Sequence, residues 1–123
     1  RHFPALLQTH KILQAVEQYG FKFDDISGAR AKLAEEITEL DAAVEQADTT
    51  QCEHELGDVL FACVALSREL NINPDQALRR ANQRFKSRMI KLESICADEN
   101  IDIFDLDKKQ LLQMYARAKK TTE

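Results

Sequence analysis

Helix-breaking residues are scarce in this sequence, which contains three glycines, two prolines and no tryptophan among its 123 residues. The residues with the best helix propensities, Ala, Leu, Glu, Gln, Lys and Arg, are abundant along the whole chain. Tight turns and β-hairpins depend on glycine and proline, so the sequence favours long helices joined by few connections. The length suits one compact domain with a single core. We therefore expect an all-α fold and one domain spanning residues 1–123.

Apolar periodicity and residues that favour helix ends predict a bundle of about five helices. The predicted helices run from about Pro4 to Tyr19, from Ser27 or Gly28 to about Ala47, from Thr50 to about Leu70, from Asn73 to about Ile95, and from Asp107 to about Ala118. Gly20 is placed to end the first helix. Thr50 with Glu53, and Asp107 with Gln110, have the spacing of a capping box. On the fourth helix, the residues expected to face inward are Leu78, Ala81, Phe85, Leu92 and Ile95.

The middle of the third predicted helix, residues 59–66, is apolar on every side. A helix without a polar face must be enclosed by neighbours all round, and four or five helices of one short chain can hardly do that alone. We therefore expect a homodimer to complete the bundle. The same run is far too short to cross a bilayer, so no membrane partner is expected.

Acidic residues recur at helical spacing on the second and third predicted helices. Glu35, Glu36 and Glu39 form the pattern E-E-x-x-E, and Glu55 and Asp58 are again three residues apart. If the two helices pack antiparallel across the short turn near residues 48–50, the pair Glu36 and Glu39 faces the pair Glu55 and Asp58. Converging carboxylates repel one another unless a cation neutralises them. We therefore expect a divalent metal that prefers oxygen ligands, with Mg²⁺ as the natural candidate.

Other interpretations of these acids stay open. Any single glutamate can be merely solvated, and the helix dipole alone accounts for Glu53 or Glu55 near a helix N-terminus. A carboxylate-bridged di-iron bundle is disfavoured, because it needs Glu-x-x-His pairs and none of His2, His10 and His54 lies three residues after a glutamate. We expect His54 to be a surface residue beside the site.

A ladder of basic residues follows the fourth predicted helix, formed by Arg80, Arg84, Arg88 and Lys91. It can be an ordinary solvated face, because helices with alternating charge need no ligand. In the same small bundle as a carboxylate cluster, it suits phosphate transfer, in which metal and arginines neutralise charge on the phosphoryl oxygens and the leaving group. The sequence has no glycine-rich phosphate loop, so phosphate binding would depend on metal, arginine and lysine.

Four segments occur in a recognisable order: GFKF at 20–23, KLAEEITE at 32–39, ELGDVLF at 55–61 and RANQRFKSR at 80–88. Together they resemble the signature of the MazG nucleoside triphosphate pyrophosphohydrolases, and more narrowly the carboxy-terminal catalytic domain of the tandem bacterial protein. GFKF is similar to the G-F-x-W segment of that domain. The resemblance covers nearly the whole chain and is compatible with its being the carboxy-terminal part of a longer tandem protein.

The resemblance implies roles for individual residues. Magnesium would be bound by Glu36, Glu39, Glu55 and Asp58, with Glu35 as a supporting acid, and Glu35, Glu36 and Glu39 are all candidates for the catalytic base. Lys32, Arg84 and Arg88 would contact the triphosphate, and Asn82 would help to hold the nucleotide or the helix pair. Tyr115 stands where relatives often have a tryptophan near the base, and Lys119 lies one turn further on the last helix. Base stacking and ordinary packing both remain open for Tyr115.

The implied activity is magnesium-dependent hydrolysis of nucleoside triphosphates to monophosphates and pyrophosphate. Two other classes compete with it. A non-catalytic dimeric domain for nucleotide sensing or scaffolding would be favoured if an acid of the cluster were missing. A nucleic-acid-binding helical module is disfavoured by the net charge of -4. The three cysteines are odd in number and lack a CxxC spacing, so we expect reduced thiols in or near the core and a cytoplasmic location.

Overall fold

A computed structural model describes residues 4–122 and is all-helical over that range. Its elements are α1 (Ala5–Glu17), α2 (Ile26–Glu45), α3 (Thr49–Glu69), α4 (Pro74–Asp98), a single 3₁₀ turn (Ile103–Asp105) and α5 (Lys108–Thr122). The all-α class and the five predicted helices are confirmed. The chain divides into two compact units, residues 1–77 and 78–123.

The first unit is built on an antiparallel pair of long helices, α2 and α3, with α1 packed on α3. The connection between α2 and α3 is very short and contains Ala47 in a left-handed conformation, with φ of 54°. Ala29 and Ala43 of α2 and Ala62 and Val64 of α3 are buried. The small alanine side chains allow the two helix backbones to approach closely, which brings their acidic faces together.

Two helices begin earlier than the sequence predicts. Asp25 Oδ1 accepts a hydrogen bond from Gly28 N at 2.9 Å and caps α2, and Asp48 Oδ1 accepts one from Gln51 N at 3.2 Å and caps α3. The predicted starts at Ser27 or Gly28 and at the pair Thr50 with Glu53 are therefore wrong. In both loops an aspartate that precedes the predicted starting residue accepts the hydrogen bond from the first helical turn.

The predicted helix-end residues Gly20, Asn73 and Asp107 are confirmed. Gly20 closes α1 with φ of 86°, while Phe21 N donates to Val16 O at 3.2 Å and Gly20 N to Glu17 O at 2.9 Å. These paired bonds form a Schellman motif, which requires a left-handed residue at the position of Gly20. The first turns of α4 and α5 have the predicted side-chain caps. Gln76 N donates to Asn73 Oδ1 at 3.1 Å. Gln110 N donates to Asp107 Oδ1 at 2.8 Å, and Asp107 N donates to Gln110 Oε1 at 2.9 Å.

The second unit has its own small core, formed by Leu92 and Cys96 of α4 with Met114 and Ala118 of α5. This core uses α4 only from about Met89 onwards. Leu78 and Phe85, which the sequence places inward, are exposed, whereas Leu92 is buried as predicted and Ala81 and Ile95 are half-buried. The buried α4 residues of this core lie in the second half of the helix, whereas Phe85 stays 55% exposed although its ring contacts Tyr115 of α5.

The apolar middle of α3 is only partly enclosed by the described residues. Ala62 and Val64 are buried, but Leu60 is 53% exposed, and Phe61 and Cys63 are also exposed. Homodimerisation to cover this surface remains a prediction. The expectation of core thiols holds for Cys96, which is buried, but not for Cys63, and the three cysteines are unpaired. Over residues 4–122, every helix is too short or too polar to span a membrane.

Candidate active site

Three glutamates of α2 and α3 form a carboxylate group in the first unit. Glu36, Glu39 and Glu55 each bring one oxygen within 4.8 Å of the other two. Glu36 and Glu39 share a face of α2 because three residues make nearly one helical turn. Glu55 joins them because α3 runs antiparallel to α2 from a connection close by. Glu36 is the one charged residue buried among those described, with 6% exposure.

Asp58 belongs to a second group that shares Glu55 with the first. His54, Glu55 and Asp58 again each bring one ligand atom within 4.8 Å of the others. The His54 imidazole lies beside Asp58, with 3.4 Å between Nε2 and Oδ2, and both side chains are well exposed. His54 is therefore at the surface, as predicted. One of its ring nitrogens nevertheless lies within 4.8 Å of carboxylate oxygens of Glu55 and Asp58.

The first group contains two buried carboxylate oxygens that lack a hydrogen-bond partner among residues 4–122. They are Glu36 Oε2 and Glu55 Oε2. A buried polar atom without a partner costs about 1–3 kcal/mol, and more when it is charged. The charge of Glu36, followed by desolvation and the charge of Glu55, raises the pKa of Glu39. Clustered carboxylate oxygens of this kind fit a hard divalent cation, which would satisfy the buried atoms and relieve their repulsion.

Lys32 supplies positive charge at one side of this group. Its Nζ lies 3.0 Å from Glu36 Oε1 and 3.4 Å from Glu35 Oε1. The hydrogen bond to Glu36, together with the charges of Glu35 and Glu36, raises the pKa of Lys32. Lys32 therefore stays charged and turns one oxygen of Glu36 towards itself, while the other oxygen is left unpartnered. Glu35 is exposed and lies outside both carboxylate groups.

A cavity of about 580 Å³ adjoins the carboxylates within the first unit. Lys32, Glu36 and Asp58 line it beside the carboxylate groups and form its charged end, and Glu17, Lys22 and Glu69 are further charged residues of its lining. The remaining walls come from the end of α1, the loop 20–23 and one face of α3, and they include Phe21, Phe23 and Phe61. One end of the cavity is therefore charged and suits a metal and phosphates. Another part of its wall is aromatic.

In the second unit, the basic ladder lines a separate groove of about 440 Å³. Arg80, Gln83, Arg84, Ser87 and Arg88 form its α4 side, and Thr122 closes it. Arg88 Nη1 donates a hydrogen bond to Tyr115 Oη at 3.3 Å. The Tyr115 ring also packs on Phe85, with centroids 5.9 Å apart. Asn82 and Lys119 are exposed in this unit.

Residues 25–92 match the MazG nucleotide pyrophosphohydrolase domain, which is more than half of the chain and includes both carboxylate groups. This chain belongs to the MazG family. It is 35% identical over 116 residues to the nucleoside triphosphate pyrophosphohydrolase/pyrophosphatase MazG of Thermotoga maritima. The aligned region covers 94% of this chain and 44% of that protein. It is 31% identical over 122 residues to the nucleoside triphosphate pyrophosphohydrolase of Escherichia coli K12, and this aligned region covers 98% of this chain and 46% of that protein. The chain thus spans less than half the length of these relatives.

Within this MazG domain, three of the predicted metal ligands, Glu36, Glu39 and Glu55, form one group with Lys32 beside Glu36, and the fourth, Asp58, lies in the second group, which shares Glu55. The other predicted substrate residues, Asn82, Arg84, Arg88, Tyr115 and Lys119, belong to the second unit. Sequence reasoning assigned no role to the phenylalanines of the cavity. The signal was present in Gly20–Phe23, where a helix-ending glycine precedes two aromatic residues, but aromatic residues near a helix end usually just pack.

Proposed function

We propose that this MazG domain hydrolyses nucleoside triphosphates to nucleoside monophosphates and pyrophosphate, with Mg²⁺ as the cofactor. The observation that carries the proposal is the group of Glu36, Glu39 and Glu55, which has two buried unpartnered oxygens and lies beside a cavity of about 580 Å³ that Glu36 also lines. The names of the Thermotoga and Escherichia relatives support the same activity. The acids required by the reaction are present, which argues against a domain that only senses nucleotides.

Glu36, Glu39, Glu55 and Asp58 would hold the metal through their carboxylate oxygens. When bound, magnesium supplies positive charge that neutralises the phosphate oxygens and the leaving pyrophosphate. Lys32 has two tasks in this proposal: it orients Glu36 through the 3.0 Å contact and presents a cation to the phosphates at the cavity's charged end. Glu35, Glu36 and Glu39 are the candidates for taking a proton from the attacking water.

The remaining substrate contacts are proposed from the family resemblance. Arg84 and Arg88 would contact the triphosphate, Asn82 would help to hold the nucleotide, and Tyr115 and Lys119 would lie at the rim of the site. A guanidinium binds phosphate in a bidentate manner, so the arginines suit this task. We further propose a homodimer, supported by the exposed apolar residues of α3, and a cytoplasmic location, supported by three unpaired cysteines.

Product analysis tests the proposed activity. We expect ATP and other nucleoside triphosphates with magnesium to give monophosphate and pyrophosphate, and a chelator to abolish turnover. Asp58→Asn should remove most of this activity with the fold intact, because it deletes one negative ligand with almost no change in shape. Chromatography of the nucleotides and a pyrophosphate assay measure both results, and circular dichroism checks the fold.

Glu53→Gln is the matched control, since Glu53 is an exposed acid of the same helix that lies outside both carboxylate groups. It should leave turnover near the wild-type value. Diphosphate and orthophosphate as the main products would overturn the proposed reaction. Full turnover in Asp58→Asn would make Asp58 a structural residue rather than a metal ligand. Nucleotide binding without turnover by the wild-type protein would favour the sensing alternative.

A further inference from the structure

His54 is the one member of the two carboxylate groups that the proposed function leaves unused. Its imidazole, Glu55 and Asp58 each bring one ligand atom within 4.8 Å of the others. His54 and Asp58 are four residues apart on α3, so their side chains share one face of the helix. In the H-E-x-x-H motif, two histidines at this spacing bind one zinc ion. The segment HELGD at 54–58 has the same spacing, with a carboxylate in place of the second imidazole.

The distance between His54 and Asp58 suits two ligands of one ion. His54 Nε2 lies 3.4 Å from Asp58 Oδ2. A charge-assisted hydrogen bond between such groups is shorter, at about 2.7–2.9 Å. Ligands bound tetrahedrally at about 2.1 Å from a zinc ion lie about 3.4 Å from each other. Both side chains are well exposed, so an ion can reach them from solvent.

Glu55 connects this exposed pair to the buried carboxylates. Its Oε2 is buried without a hydrogen-bond partner among residues 4–122, and so is Oε2 of Glu36, a residue only 6% exposed. Glu36 and Glu55 belong to the same group. Buried charged oxygens of this kind require a cation nearby, whatever residue stands at position 54. An ion held by Glu55 and Asp58 therefore has the His54 imidazole within reach as a further ligand.

We propose that His54 is a nitrogen ligand of the divalent-metal site and extends its use from Mg²⁺ to later first-row ions such as Co²⁺ and Zn²⁺. The proposal rests on the proposed function, because Glu55 and Asp58 are among the proposed magnesium ligands. Imidazole binds the later first-row ions well, whereas Mg²⁺ takes oxygen ligands. His54 therefore contributes to the affinity for Co²⁺ and Zn²⁺ and little to the affinity for Mg²⁺.

Titration of the chain with Co²⁺ tests this role, because the visible absorption of bound Co²⁺ depends on its ligands. We expect His54→Ala to weaken Co²⁺ binding about tenfold or more and to change the absorption spectrum. Its Mg²⁺ affinity, measured by calorimetry without nucleotide, should stay within about twofold of the wild-type value, since Mg²⁺ prefers oxygen. A mildly alkaline buffer keeps imidazole neutral and able to bind a metal.

Glu53→Gln is the matched control, because Glu53 is exposed, precedes His54 on α3 and lies outside both groups. It should bind both ions as the wild type does. His2 and His10 remain in both variants, so Co²⁺ bound at those histidines cannot produce the difference. Circular dichroism confirms that His54→Ala is folded, which its exposed position favours.

The outcomes separate this proposal from the proposed function. Equal Co²⁺ affinity in His54→Ala and the wild type would overturn the role of His54 and leave the magnesium site standing. Equal losses of Co²⁺ and Mg²⁺ affinity would show that His54 acts through Asp58 rather than as a ligand, and would also overturn it. Absence of pyrophosphate production by the wild type would contradict the proposed function, whereas the titrations, which contain no nucleotide, would still decide the role of His54.

Discussion

At the scale of single residues, Tyr115 has two contacts that suggest different roles. Its hydroxyl accepts a hydrogen bond from Arg88, and its ring packs on Phe85. A tryptophan at this position could not accept that bond, because the indole N–H only donates. The tyrosine therefore gives this chain a means of orienting Arg88, one of the proposed phosphate contacts.

We expect Tyr115→Phe to raise KM for all nucleotides about threefold to tenfold, since a hydrogen bond that fixes Arg88 contributes roughly 0.5–1.5 kcal/mol. Tyr115→Leu should raise KM at least as much and also lower the melting temperature, because it removes the ring from Phe85. Steady-state kinetics and thermal unfolding measure the two effects. A higher KM in Tyr115→Leu alone would assign the ring to base stacking, as the family resemblance implies. Unchanged KM in both variants would leave Tyr115 with packing only.

At the scale of secondary-structure elements, one charged cluster attaches α1 to α3. Arg68 donates to both carboxylate oxygens of Glu17, with 2.7 Å from Nη2 to Oε1, and its Nη1 lies 3.0 Å from His10 Nε2. The hydrogen bonds from Arg68 hold the pKa of Glu17 below its ordinary value. Burial, reinforced by the charge of Arg68, lowers the pKa of His10. As pH falls, the unfolded chain therefore takes up these protons before the folded chain does, and acid weakens the attachment of α1.

Glu17→Gln should lower the free energy of unfolding near neutral pH by about 1–2 kcal/mol, because Arg68 loses a charged acceptor. The contribution of Glu17 is complete above its unfolded pKa and is lost as pH falls through its lower folded pKa. The difference between wild type and variant should therefore shrink in acid, and urea unfolding at a series of pH values measures it. Glu99→Gln is the control, since Glu99 pairs with Arg117 in an exposed position and should matter less. A difference that does not depend on pH would show that the charge of Glu17 is not responsible.

At the scale of the whole molecule, the exposed apolar surface of α3 is the feature that supports the proposed homodimer. Leu56, Leu60 and Cys63 are exposed and lie on one face, at spacings of four and three residues. Exposed apolar faces of this kind usually mark an interaction surface. This exposure agrees with the sequence argument that α3 needs neighbours on every side.

Leu60→Glu should convert a wild-type dimer into a monomer, because it places a charge in a surface that would be desolvated on association. Analytical ultracentrifugation over a range of protein concentrations measures the change. Leu112→Glu on α5 introduces the same charge at a similarly exposed leucine and should leave the dimer intact. A wild-type chain that sediments as a monomer at every concentration would contradict the proposed homodimer.

The sequence alone determined the helical class, the number of helices and the acids that converge. These features follow from local rules: few helix breakers, apolar periodicity, and carboxylates three residues apart on neighbouring helices. Asp58 was included because it lies three residues after Glu55 on the same helix. The antiparallel packing of α2 and α3 then required only a short connection between them.

The tertiary structure decided which side chains are buried and what each contacts. Periodicity marked Phe85 and Leu92 alike as inward, but Leu92 is enclosed in the core between α4 and α5, whereas Phe85 stays 55% exposed beside Tyr115. The helix caps at Asp25 and Asp48 depended on which loop carboxylate reaches the first backbone N–H groups. The aromatic wall of the cavity likewise exists only because the turn at Gly20 brings a loop against α3, a long-range contact that local sequence does not encode.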